Sequence, residues 1–254
     1  LITAYVIILG LMVGSFLNVC IYRLPRDESL VRPRSHCPHC NHQIKAWENI
    51  PLISFLILRG KCSACKAPIS WRYPLVEALT GLLFYLTFWR FGPTLDFIIY
   101  ILFLCLLLVI TFVDIDYQVI PNEFLLAGLI PGVYSLLRHG MGGMDLYLYG
   151  AVGLGGLFLL IRAMGKFIFR KESLGMGDVK YAALIGLVIG WKFGLLATAL
   201  AFFSASIILL VLMMISRGIA FGQRIPFGPF LSLGTVLALF WGEEIIHWYL
   251  KLVL

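Results

Sequence analysis

What limits this chain most is where charge is missing. Residues 2–22 and 193–215 contain no Asp, Glu, Lys or Arg at all. Uncharged apolar runs of that length match the ~20 residues a helix needs to cross a bilayer. Further apolar stretches at 74–89, 96–113, 124–137, 146–164, 181–190 and 229–250 bring the candidate spans to eight. With 61% hydrophobic and 13% charged residues, a soluble globule of 254 residues has no core large enough to hide them. The expected fold is therefore an all-α polytopic membrane protein of about eight transmembrane helices. Two stretches, 124–137 and 181–190, are short for a crossing and are punctuated by Gly or Pro. Short or broken helices are tolerated where they line a wet cavity. The start of the chain lacks a basic leader and an Ala-x-Ala site and runs straight into Arg23, so a membrane span is expected there rather than a cleaved signal.

The net charge of +7 is concentrated, not spread. Arg23, Arg26, Arg32, Arg34, Lys45, Arg59, Lys61, Lys66 and Arg72 all lie between the first two spans, beside Asp27, Glu28 and Glu48. Clustering next to spans follows the positive-inside rule, and a nucleic-acid partner is not expected. Lys166, Arg170, Lys171, Lys180, Arg217 and Arg224 fall on the same side, against Arg90, Arg138, Lys192 and Lys251 on the other. Both termini are thus expected outside, with the first long loop in the cytoplasm. The expected domains are a first helix at 1–22, a cytoplasmic cysteine-rich domain at 23–73 and a seven-helix membrane domain at 74–254. No internal repeat or low-complexity tract is evident.

That loop holds two Cys-x-x-Cys knuckles, Cys37-Pro-His-Cys40 and Cys62-Ser-Ala-Cys65. Two residues between cysteines let both sulfurs of a turn face one ion, and two such turns complete a tetrahedron, the pattern of a zinc ribbon. The rival reading, a pair of disulfides, conflicts with a reducing cytosol. A structural zinc at Cys37, Cys40, Cys62 and Cys65 is expected, with His36, His39 and His42 as bystanders. Cys20 and Cys105 lie in spans and read as small buried hydrophobes.

Asp114, in Thr111-Phe-Val-Asp-Ile-Asp-Tyr-Gln-Val-Ile-Pro121, and Asp178, in Gly175-Met-Gly-Asp-Val-Lys180, sit where apolar stretches begin or end. A carboxylate at such a boundary is costly unless paired, hydrated or working. Two spans separate them, which places both at the inner boundary. A carboxyl pair that shares a proton supplies the base for a water and the acid for a carbonyl, the needs of an aspartyl protease. The glycines at 175 and 177 allow a backbone to approach Asp178. The competing reading makes both residues helix-end carboxylates in headgroup water, with Asp178 capping a helix from Val179. Asp116 competes with Asp114, while Glu77 and Asp96 read as boundary charges.

These pieces occur in a recognisable order. Gly14-Ser-Phe-Leu-Asn-Val-Cys-Ile-Tyr-Arg-Leu-Pro25 is followed by the cysteine knuckles, with Ala46-Trp-Glu-Asn-Ile-Pro51 between them. Trp71-Arg-Tyr-Pro-Leu-Val-Glu77, the two aspartate motifs and Arg224-Ile-Pro-Phe-Gly-Pro229 come next. In this the chain resembles the bacterial type IV prepilin peptidases, membrane aspartyl proteases of the Gly-x-Gly-Asp class. The resemblance implies Asp114 and Asp178 as the catalytic pair. It also implies cleavage, after a glycine at the cytoplasmic face of the inner membrane, of basic leaders from prepilins or type II secretion pseudopilins. It further implies S-adenosylmethionine-dependent N-methylation of the new N-terminal residue, a step linked to the cysteine loop. No nucleotide-binding glycine fingerprint marks a methyl-donor site. Asn122 departs from the acid that family members often carry there. Gly14, Asn18, Arg23 and Pro25 match the family without an evident chemical role. The alternatives are a peptidase without methylation, an ion-coupled carrier, or an anchor presenting a zinc ribbon.

Overall fold

A computed structural model describes residues 1–138, 140–170, 174–215 and 225–253. Lys171, Arg217 and Arg224, counted above with the inner side, lie outside the described residues. Eight α-helices follow in order: α1 (Ile2–Arg23), α2 (Ile53–Ile57), α3 (Arg72–Phe91), α4 (Leu95–Tyr117), α5 (Asn122–Arg138), α6 (Gly140–Phe169), α7 (Met176–Ile215) and α8 (Gly228–Val253). All eight predicted apolar stretches are helical. Five of the described helices, α1, α4, α6, α7 and α8, are long and apolar enough to cross a membrane. The 40-residue α7 contains two of the predicted stretches, joined at Gly190, whose φ of 76° interrupts the helical geometry. Only glycine takes that conformation without a steric penalty, so the sequence places the break itself. The 17-residue α5 holds Pro131 inside it and is short for a crossing.

The chain separates into two compact units, Leu1–Val109 and Ile110–Leu254. In the first, α1 packs on α3 through small residues. A Cβ added at Gly10 would stand 2.8 Å from Phe84 Cβ, and one at Gly14 would stand 2.7 Å from Glu77 Cα. Lipid supplies no hydrophobic drive for helix association, so such close backbone contact is a main source of cohesion. Hydroxyls within α3 are satisfied locally: Thr80 donates to Val76 O at 2.7 Å and Thr87 to Leu83 O at 2.6 Å. Phe97 of α4 meets Phe84 and Phe88 edge-on at 6.1 and 5.9 Å. The loop between α1 and α3 carries α2, from which Ile53, Leu56 and Ile57 are exposed while Phe55 packs on Trp71 at 4.9 Å.

In the second unit α7 is the central helix, contacted by α5, α6 and α8. Glycines again set the approach. Gly150 of α6 and Gly186 of α7 face each other so closely that a Cβ on Gly150 would meet the Gly186 carbonyl oxygen, and a Cβ on Gly186 would meet the Gly150 carbonyl. Gly132 of α5 faces the Leu187 side chain, and Gly234 of α8 the Ala197 carbonyl of α7.

Gly186→Ala should therefore destabilise the folded protein by about 1–3 kcal/mol, because rigid backbone, not a flexible side chain, meets the new methyl. Gly156 of α6 has nothing within 4 Å of its Cβ position. Thermal unfolding in detergent should show a lower midpoint for Gly186→Ala and none of that loss for Gly156→Ala.

Candidate active site and metal centre

The two aspartates at the end of α4 differ in burial. Asp114 shares a face with Ile110, Leu107 and Phe103, all buried, and is itself only 4% exposed. Asp116 lies two residues on and is exposed. The helix stops just beyond, where Gln118, at a φ of 55°, donates its N–H to Asp114 O at 2.9 Å.

The first turn of a helix leaves its N–H groups without intrahelical partners. Gly228 opens α8, and its N–H donates to Asp114 Oδ2 at 2.9 Å. A Cβ on Gly228 would stand 2.7 Å from that oxygen, so the contact requires glycine. Phe227 before it is held by rings from two other helices, Phe202 of α7 at 4.9 Å and Phe158 of α6 at 5.9 Å. Aromatic packing thereby fixes the donor that meets Asp114. Of the motif quoted at 224–229, Arg224 lies outside the described residues.

Asp178 occupies the third position of α7, which starts at Met176 and not near Val179. Its Oδ2 accepts the Gly175 N–H at 3.2 Å. That is the backward half of a capping box, an acid in the first turn bonding the N-cap amide. Gly177 does not face empty space: its Cβ position is 3.1 Å from Ile120 Cβ. Lys180 Nζ donates to Asn122 Oδ1 at 2.8 Å, so the amide at 122 supplies the acceptor that an acid would. The loop after Asp114 thus lies along the first turn of α7, the turn that carries Asp178.

Two further residues belong to this arrangement and escaped the sequence reading. Tyr181, fully buried, stands one turn beyond Asp178 on α7, and Ser232 one turn beyond Gly228 on α8. Ser232 Oγ donates to Gly228 O at 2.9 Å. Its one proton is then committed, so the 2.7 Å contact with Tyr181 has the phenol as donor. A hydrogen-bonded bridge therefore ties the helix of Asp178 to the turn that holds Asp114. The available signal was a tyrosine within an apolar helix, since a buried phenol normally finds a partner.

In the first unit the two cysteine knuckles have matching backbones. Asn41 donates its N–H to Cys37 O at 2.9 Å, as Lys66 does to Cys62 O at 3.1 Å. Both Asn41 and Lys66 take positive φ, 57° and 61°, which turns the chain back beneath the sulfurs. All four thiols are free, and their sulfurs lie within 4.8 Å of one another. Cys37 and Cys65 are 3.9 Å apart, and Cys40 and Cys62 are 4.0 Å apart. Zinc–sulfur bonds of ~2.3 Å place the sulfurs of a tetrahedron ~3.8 Å apart, so the cluster fits a four-thiolate metal.

The thiols differ in proton affinity. Backbone N–H groups of Cys65 and Ala64 hold Cys62 down at about 6. Cys40, despite an N–H from His42, is pushed up to about 11 by desolvation and its sulfur neighbours. Four adjacent thiolates need a cation among them. His42 is directed elsewhere, with Nε2 3.3 Å from Glu48 Oε2. Glu48 also accepts the Lys45 N–H at 2.8 Å and is held below the usual carboxylate range, first by the Ser63 hydroxyl.

Residues 8–91 match the model of the bacterial peptidase A24 N-terminal domain, and residues 101–215 match that of the type IV leader peptidase family. A prepilin leader peptidase/N-methyltransferase of Stutzerimonas stutzeri is 39% identical over 96% of this chain and 92% of its own length. A protein so named from Pseudomonas aeruginosa is 38% identical over 96% and 92%. Another from Legionella pneumophila is 34% identical over 95% and 92%. No solved structure matches. With two family models matched in sequence and relatives covered almost end to end, the chain belongs to the type IV leader peptidase family.

Proposed function

We propose that this chain is an aspartic endopeptidase that removes the leader from prepilin-type substrates and then methylates the new N-terminus. The observation that carries the peptidase reading is that Asp114 and Asp178 stand at the ends of two helices in one unit, each holding a backbone N–H. One carboxylate takes a proton from water as the hydroxyl adds to the scissile carbonyl carbon. The other, protonated, donates to the carbonyl oxygen. Return of a proton to the amide nitrogen then breaks the C–N bond and frees the leader. The helix-end reading of Asp178 is compatible with this role, since its bond to Gly175 N–H occupies one oxygen.

The substrates are prepilins and type II secretion pseudopilins, cut after the glycine that precedes their hydrophobic helix. The membrane is the bacterial inner membrane, with both aspartates at the cytoplasmic side; the basic loop supports that orientation. Cys37, Cys40, Cys62 and Cys65 hold a structural zinc, since four thiolates leave no open position for catalysis. For methylation, S-adenosylmethionine supplies an electrophilic methyl group, and the chain must hold an amine ready to receive it.

Purified protein in detergent should cleave a prepilin, and Asp114→Asn or Asp178→Asn should each lower the rate by about 10²–10⁴ while leaving the fold intact. Full cleavage by either variant would remove the dyad. Gly228→Ala should also abolish most cleavage, because its methyl displaces the Asp114 carboxylate. Tyr181→Phe should cost less, about fivefold, since it removes one neutral hydrogen bond of ~1 kcal/mol from the bridge. A larger loss in Tyr181→Phe than in Gly228→Ala would overturn this order. Metal analysis should find about one zinc per chain. Cys62→Ser with Cys65→Ser should lose it and make the loop at 37–65 sensitive to added protease.

A further inference from the structure

Two motifs of the first unit, at 14–25 and 71–77, meet in a buried polar cluster together with Leu52. Asn18 of α1 is 3% exposed. Its Nδ2 donates to Gly14 O at 3.3 Å and to Tyr73 O at 3.1 Å. Two carbonyl acceptors fix the orientation of the amide, because a flip would set oxygen against oxygen. Asn18 Oδ1 is then buried with no hydrogen-bond partner. Such an atom is an exception in a folded protein and calls for a donor that is not part of the chain.

Glu77 of α3 is one turn beyond Tyr73 and lies against Gly14, where a Cβ would approach its Cα to 2.7 Å. It is 9% exposed, engages the Ser15 hydroxyl, and its Oε2 accepts the Leu52 N–H at 2.8 Å. Leu52 pays for that bond in backbone strain, with φ at 60° and ψ at −45°, a conformation a branched side chain rarely adopts. Residues held in sparsely populated regions cluster at functional sites. Among the described residues no Lys or Arg is paired with Glu77, and the cluster offers acceptors and negative charge inside an apolar helix pair.

We propose that Asn18 and Glu77 form the site that binds a primary amine, the freed α-amino group of the trimmed substrate. The proposal rests on the methyltransferase reading above. Asn18 Oδ1 accepts one N–H, and the Glu77 carboxylate takes up the extra proton of the ammonium, leaving a nitrogen lone pair. The amine nitrogen forms its bond to the methyl carbon as that carbon's bond to sulfur breaks, the electron pair staying on sulfur. The resulting secondary ammonium carries the positive charge, and the proton on Glu77 returns to solvent. An amine arriving at Glu77 competes with the Leu52 N–H, so binding also relaxes the strained turn.

The test uses the full chain and two readouts. In the first, mass spectrometry of the mature product gives the methylated fraction among cleaved molecules. Glu77→Gln keeps an oxygen for Leu52 but removes the charge, and should lower that fraction about a hundredfold. Asn18→Ala should lower it too. In the second, without methyl donor, a short peptide beginning with phenylalanine should bind the intact chain more tightly than its N-acetylated form. That preference should vanish in Glu77→Gln. Unchanged methylation together with an unchanged amine preference in Glu77→Gln would overturn the proposal and leave Glu77 as a clamp on Leu52. If the intact chain cleaves without methylating, the methyltransferase reading fails. The peptide preference then decides the amine site separately, its absence sinking it.

Discussion

A carboxylate inside an apolar bundle persists only if something donates to it, and for Asp114 the donor is a main-chain amide at the start of α8. That bond sets several demands at once. Position 228 must be glycine, because a Cβ would stand 2.7 Å from Asp114 Oδ2. The turn before it must be anchored, which Phe158 and Phe202 accomplish through Phe227. Its carbonyl must be satisfied as well, and Ser232 does so while receiving the phenol of Tyr181. Buried polar networks are stable when each member has its partner. Here the network extends from one aspartate to the helix that carries the other.

Glycine recurs because lipid removes the usual reason for helices to associate. Within each unit the helices approach through positions that lack a Cβ, at Gly10 and Gly14 in the first and at Gly150 and Gly186 in the second. Close backbones maximise dispersion contact and leave the larger side chains to face lipid. The same device recurs beside Asp178 at Gly177, where Ile120 of the loop after α4 lies against the first turn of α7. Packing and site geometry therefore draw on one property of one residue type.

The cysteine loop solves a different problem. It is too small and polar to build a core of its own, with Phe55 against Trp71 among its few apolar contacts. Two matched knuckles with positive-φ residues after the second cysteine bring four sulfurs within metal range. A cation held there would supply the cross-link that burial cannot.

The sequence by itself determined the membrane class, the eight helical stretches, the cysteine tetrad and the two aspartate motifs. Each of these depends on local composition or short spacing. Length of an uncharged run needs no knowledge of neighbours, and a Cys-x-x-Cys turn is a local geometry. The tertiary structure decided what periodicity could not. Because α4 is apolar on every side, its pattern carries no record of which face is buried, so only packing shows Asp114 inside and Asp116 exposed. The same holds for Gly228, Tyr181 and Ser232, whose partners lie on other helices. Asn18 and Glu77 were visible as motif residues, and Glu77 read as a simple boundary charge. Only the packing of α1 on α3 brought Asn18 to Tyr73 and Gly14 to Glu77, where the lack of a donor for Asn18 became apparent.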